Sequence, residues 1–198
     1  LPDLAAYPLV DPRGLLTPLL DGWSLDCWIV AADGRWLVPA RLASVDQRLT
    51  WDGDLAVTTR ADAGPLALTT RAAVPMPADG QAVCRLRVEA RSDAPAWLVV
   101  SLRPYNPEGV SFVHDIAVHP DRRGWQVNRD HAVRFDAAPE RFLSSQYRDG
   151  DVSLRLPHAR EGPEAAACDV GMATAAALFP LTPGQASQVT VEVPLEPP

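Results

Sequence analysis

The stretch Trp97-Leu-Val-Val-Ser-Leu-Arg-Pro-Tyr-Asn-Pro-Glu-Gly109 runs a nearly continuous apolar segment into a turn carrying Arg103, Tyr105, Asn106 and Glu108. A guanidinium, a phenol, an amide and a carboxylate in so short a span can hydrogen-bond sugar hydroxyls, and the ring of Tyr105 can stack on a pyranose. Pro104 and Pro107 fix φ and bias Arg103 and Asn106 toward extended backbone, so the loop is predicted to be rigid. The same residues also read as an ordered turn in which Arg103 and Glu108 pair with each other or clamp a neighbouring domain.

Other chemistries find less support. His114, Asp115 and His119 fall close together, but on a strand His114 points away from both Asp115 and His119, and the two that share a face are too few for a metal site. A hydrolytic carboxylate pair needs two acids facing one cleft. Glu89, Glu108, Asp115 and Glu140 stand near strand ends, and no spacing selects two of them. Nucleophile elbows, Cys-His signatures and glycine-rich phosphate loops are absent, which removes the sequence case for acyl transfer or nucleotide chemistry. Cys27, Cys84 and Cys168 are odd in number and far apart, so they form neither a disulfide framework nor a zinc ligand set. Neither metal nor cofactor is expected. Cys84 falls on the apolar face of a strand and reads as a buried thiol. Of the six tryptophans, most sit inside apolar runs and read as core, while Trp51 and Trp125, beside turns, are the two expected at the surface of a sugar-stacking platform.

A formal charge of -7 and a pI near 5.0 argue against nucleic acid, which calls for a clustered positive field. Every basic residue other than histidine is arginine, a bias we assign to base composition of the source. No apolar run approaches the ~18 residues of a membrane span. The chain begins at Leu1 and ends in a proline-rich Val193-Pro-Leu-Glu-Pro-Pro198, the expected look of a trimmed piece whose last strand enters a linker.

The elements that must position these groups are strands. Apolar residues recur with period two at Cys84, Leu86 and Val88, at Val152, Leu154 and Leu156, and at Val189, Val191, Val193 and Leu195. Asp-Gly pairs at 33–34, 52–53, 79–80 and 149–150 supply positive φ for hairpin turns. They predict Trp23 to Val30 joined to Arg35 to Leu42, and Gln47 to Trp51 joined to Asp54 to Arg60. Further strands are predicted over Pro65 to Val74, Ala96 to Arg103, Ser111 to His119, Gly124 to Asn128, His131 to Asp136 and Arg141 to Tyr147. The alanine-rich Glu164 to Leu178 reads as a strand pair, or a loop plus strand, and prolines are expected in loops and edge strands. About a dozen short strands exceed an immunoglobulin-type sandwich and imply one domain over 1–198, a large two-sheet antiparallel β-sandwich.

With Arg-Pro-Tyr-Asn-Pro-Glu-Gly after an apolar strand, Trp23-Ser-Leu-Asp-Cys-Trp28 near the start, and Phe179-Pro-Leu-Thr-Pro-Gly184 before the last strand, the chain resembles the N-terminal β-sandwich domain of bacterial glucoamylase-like and glycogen-debranching-like glycoside hydrolases. That resemblance implies an all-β supersandwich, galactose-mutarotase-like, that packs against a helical (α/α)₆ barrel bearing the catalytic glutamates. No such barrel is in this sequence, so no catalytic residue carries over. The implied role is a non-catalytic accessory domain whose 103–109 loop positions the helical catalytic domain of the same polypeptide or touches an α-glucan oligosaccharide, in a cytoplasmic protein without nucleic-acid or membrane partners. Two alternatives stay open. One is a stand-alone sugar-binding or mutarotase-like protein using His114 and Glu108; the other is a structural interaction domain with an apolar interface patch.

Overall fold

Residues 8–75, 82–156, 158 and 162–195 are described by a computed structural model. The first half of the chain contributes β1 (Leu9–Val10), β2 (Leu16–Thr17), β3 (Ser24–Ala31), β4 (Trp36–Leu37), β5 (Asp46–Asp52), β6 (Asp54–Ala63), β7 (Leu66–Ala73), β8 (Val83–Arg91) and β9 (Ala96–Arg103). The second half contributes β10 (Tyr105–Asn106), β11 (Gly109–Val110), β12 (Asp115–Val118), β13 (Gly124–Val127), β14 (His131–Phe135), β15 (Arg141–Ser145), β16 (Ala166–Ala167), β17 (Thr174–Leu181) and β18 (Ala186–Pro194). Pairing is antiparallel throughout the named strands and yields two large sheets. A seven-stranded sheet runs β1-β2-β3-β9-β17-β15 with β4 also on β3, and a nine-stranded sheet runs β16-β12-β13-β14-β18-β8-β7-β6-β5. The protein is an all-β two-sheet sandwich, as the period-two pattern predicts.

The core lies between the facing sheets. Leu25, Cys27 and Ile29 of β3, Leu98, Val100 and Leu102 of β9, and Ala175, Ala177 and Phe179 of β17 meet Leu66 and Leu68 of β7, Leu86 and Val88 of β8, and Val189 and Val191 of β18. Each large apolar side chain so buried contributes about 1.5–3 kcal/mol. An aromatic cluster bridges the sheets: Trp125 sits 5.1 Å from Phe135 and 5.9 Å from Phe142, and Phe135 sits 5.3 Å from Phe179, all edge to face. Trp125 is therefore fully buried, which corrects the expectation that it is exposed. A turn beside a tryptophan says where the backbone bends, and the side chain of the next strand residue still follows the pleat inward. Trp51 is 75% exposed, as expected.

The two sheets treat their outer faces differently. On the nine-stranded sheet, Arg85, Arg87, Glu89 and Arg91 alternate outward from β8 in the ordinary way. All eight residues of β3 and seven of eight in β9 are buried or held below the surface cover, so the seven-stranded sheet is covered on both sides. A second, smaller cluster of Trp28, Val30, Val99, Leu143, Ala176 and Leu178 packs there under Val38, Val152 and Leu156.

That cover explains where strand expectations fail. Val152–Arg155 is a 3₁₀ turn rather than a strand: Asp151 caps it by accepting the Ser153 N–H at 2.8 Å, and Val152 and Leu156 point to the sheet while Leu154 points out. The Asp-x-Ser start is an N-cap signal that the three-point alternation obscured. Asp149-Gly150 ends a 3₁₀ turn over Tyr147–Asp149 instead of a hairpin, and Asp79-Gly80 lies outside the described residues. Pro39 opens a 3₁₀ turn that stops the strand predicted to reach Leu42. The strand predicted from Ser111 contracts to β12, with Val113 making a single bridge to Met172. Glu164 to Leu178 is a short strand, a loop and the start of β17. Pro180 stands in β17 beyond the last residue paired with β15, where the strand again has a free side.

Gly124 opens the hairpin that delivers Trp125. Its φ is +155°, and a Cβ there would fall 1.9 Å from the Val133 carbonyl oxygen. Gly124→Ala is expected to cost more than ~2 kcal/mol, as strain plus displacement of Trp125, and a denaturant titration in which the midpoint barely moves would contradict this reading.

Candidate functional site

Arg103, the last residue of β9, projects from the outer face of the seven-stranded sheet. Its guanidinium is used on every side. Nη1 and Nη2 donate to the two carboxylate oxygens of Asp151, Nε donates to the Tyr105 hydroxyl at 3.3 Å, and Nη1 also donates to the Ser101 hydroxyl at 3.4 Å. Its Cζ lies 5.3 Å from the ring centroids of both Trp28 and Tyr105. The bidentate fork is the arrangement for which arginine is suited and lysine is not. Since Asp151 also caps the 152–155 turn, the pair bolts that turn onto the second cluster. Burial works against both charges, yet the Arg103 bonds hold the Asp151 carboxyl below the ordinary carboxylate range.

Arg103 therefore pairs with Asp151 and not with Glu108. Asn106 holds the loop: its Nδ2 donates to the Gly22 carbonyl at 2.9 Å, and its Oδ1 accepts the Glu108 and Gly109 N–H groups at 2.8 and 3.1 Å. Tyr105 and Asn106 pair with Val110 and Gly109 in a two-stranded ribbon. Glu108 is exposed on the ribbon's turn. His114 is exposed, with Nδ1 3.1 Å from the Cys168 carbonyl and its ring stacked on Phe112. Among the described residues no group of three or more His, Cys, Asp or Glu is placed to hold a metal.

Around this frame large apolar side chains face outward. Phe112 is 60% exposed and covers Gly171, beside exposed Val170. Tyr147 and Leu154 are exposed on the two 3₁₀ turns, Leu154 at 77%, and Val110 is exposed on the ribbon opposite Tyr105. Leu20 is exposed two residues from Gly22, to which Asn106 is bonded. Sequence reading singled out the rigid 103–109 loop, which is a two-stranded ribbon, and missed its supports. The missed residues are Trp28, Ser101 and Asp151, the first two of which share the outer face with Arg103 by strand parity.

Asp26, also buried, lies between Ser24 and Trp28 on β3, where neither β2 nor β4 covers the strand edge. Its Oδ1 accepts the Cys27 N–H at 2.9 Å, standing in for a strand partner. Burial pushes its carboxyl up to about 6, against the pull of the Trp28 indole N–H and the Arg103 guanidinium.

No protein-family model matches the chain, and no curated protein matches it. Among solved structures it is similar to a bacterial glucoamylase complexed with acarbose, with a TM-score of 0.63, 8% identity, and coverage of 98% of this chain and 34% of that chain. At that identity the likeness is one of fold. The chain spans about a third of the length of that glucoamylase.

Two pH signatures of opposite sign follow from the site. Asp26 keeps its proton in the folded state up to about pH 6, whereas unfolded it loses it near 3.8, so its contribution to stability falls as pH rises between those values and stays low above them. Asp26→Asn is expected to stabilise the protein by roughly 1–3 kcal/mol at pH 7.5 and by little at pH 3.5. Equal shifts at both pH values would refute this assignment. Asp151, held low, contributes above its unfolded value and loses that contribution in acid. Asp151→Asn is expected to cost about 2 kcal/mol at pH 7, discounted for its partial exposure, and less near pH 3, read from urea midpoints.

Proposed function

We infer that this chain is a non-catalytic β-sandwich domain of a carbohydrate-active protein, and that the loop end around Arg103–Asp151 packs against a catalytic domain of the same polypeptide. The observation that carries the reading is the exposure of Val110, Phe112, Tyr147, Leu154 and Val170 on loops and turns, the ribbon being tied down by Asn106 and the 152–155 turn by the Arg103–Asp151 pair. Order without chemistry to perform is what an interface needs, because a pre-organised apolar surface loses little entropy on docking. The glucoamylase likeness supports the carbohydrate relation, and its larger extent leaves room for a further domain, helical by the resemblance noted in the sequence.

Glycan contact is the lesser part of this reading. Arg103, Tyr105 and Asn106 spend their polar groups internally, leaving Glu108 as the loop's free polar side chain for a sugar hydroxyl. The unpaired buried thiols of Cys27, Cys84 and Cys168 suit a reducing compartment such as the cytoplasm.

The test is a paired stability measurement. Phe112→Asp with Leu154→Asp is expected to leave the thermal midpoint of residues 1–198 within a few degrees of the parent chain, since both side chains are solvent-facing, while lowering the first transition of the complete gene product. Residues 1–198 alone are expected to release no glucose from starch or maltooligosaccharides. Glucose release by the purified chain, or identical transitions of the complete product with and without the two substitutions, would overturn the reading.

A further inference from the structure

At the opposite edge of the nine-stranded sheet from β16, β5 has no strand partner on its outer side among the described residues. Gln47, Leu49 and Trp51 occupy its core-facing positions, with Leu55 opposite Trp51 and Val57 opposite Leu49 on β6. The core's cover stops at the first of these. Gln47 Nε2 donates to the Asp11 carbonyl at 2.7 Å and to the Thr59 hydroxyl at 3.0 Å, and beyond it Leu49 is 66% exposed, Trp51 75% and Leu55 53%. Among the described residues the sheet's apolar face thus continues past the point where the core's cover ends. Edge strands are ordinarily protected by proline, a bulge or charged side chains; β5 has neither of the first two, and its charges at 46, 48 and 52 include both signs.

We propose that β5 pairs with β5 of a second copy of this chain, antiparallel about a two-fold axis at Thr50, which joins two nine-stranded sheets into one. The register follows from self-complementarity. With the axis at Thr50, Leu49 meets Trp51 of the other copy twice, an aliphatic-aromatic cross-strand pair, and position 48, an arginine, meets position 52, an aspartate, twice. Moving the axis to Leu49 sets Asp46 against Asp52; moving it to Arg48 sets arginine against arginine. A two-fold axis perpendicular to the sheet keeps the apolar positions of both copies on one side, so the uncovered stripes become continuous. Arg48 is free to change partner, because its bond to Asp46, 3.2 Å away, is solvent-exposed and worth little. This surface is separate from the loop end, and its test is independent of the docking reading.

Sedimentation velocity over about 1 to 100 μM covers the affinity range of a modest edge-strand dimer. The chain is expected to pass from monomer to dimer in that range, and Arg48→Asp to remain monomeric where the parent chain is dimeric. Asp52→Arg is expected to do the same, and the double exchange Arg48→Asp with Asp52→Arg to recover the dimer. Unchanged circular dichroism and thermal midpoints establish that each variant is folded. Three results would overturn the proposal: a monomer throughout, a dimer indifferent to Arg48→Asp, or a double variant that stays monomeric. Maltooligosaccharide-dependent quenching of tryptophan fluorescence that is lost in Trp51→Ala, with no dimer at any concentration, would likewise replace it with a sugar-stacking role.

Discussion

A sheet with apolar residues on both faces must be covered twice, and that requirement organises this protein. The nine-stranded sheet covers one side of the seven-stranded sheet. The other side carries Trp28, Val30, Val99 and Leu178 and, among the described residues, receives loops and 3₁₀ turns, which have no ladder of their own to hold them in place. The Arg103–Asp151 pair supplies the missing fixation. It ties the end of a central strand to the cap of the 152–155 turn, and its charges are tolerated because the guanidinium also bonds two hydroxyls and lies over two aromatic rings. Without that tie the turn keeps the Val152 N–H bond to the Thr174 hydroxyl, at 3.0 Å, and the apolar contacts of Val152 and Leu156.

The same fixation gives the loop end its character. A turn held by buried bonds cannot retract its exposed side chains into the protein, so Leu154 and Tyr147 face solvent as a consequence of how Asp151 and Val152 are anchored. Asn106 acts in the same way on the ribbon, where its amide is divided between the Gly22 carbonyl and two N–H groups of the turn. Rigidity here is built from polar groups that face inward, and the surface they present is apolar.

Much of the architecture is legible in the sequence because antiparallel strands with one wet face write their period directly: β8 and β18 alternate along nearly their whole length, and Asp33-Gly34 and Asp52-Gly53 mark their hairpins. Legibility fails where tertiary cover replaces solvent. On β3 and β9 the outer positions are apolar too, so alternation vanishes and the presence of a second cluster is hidden. Val152, Leu154 and Leu156 alternate, yet the segment is a 3₁₀ turn, because two buried residues four apart fit a helical turn as well as a strand. The site shows the same division. The ribbon at 103–109 announces itself by its prolines and polar side chains, whereas Asp151, 48 residues away, becomes its principal partner through a fold that local spacing does not encode.

We propose that the loop end is an interface held ready for a second domain. Amide hydrogen exchange compares this most directly between residues 1–198 alone and the complete gene product. The account predicts that amides of residues 105–114, 147–156 and 168–172 exchange at least about tenfold more slowly in the complete product, while the interior strands β8 and β9 are unchanged. Equal exchange of those loops in the two proteins would contradict it.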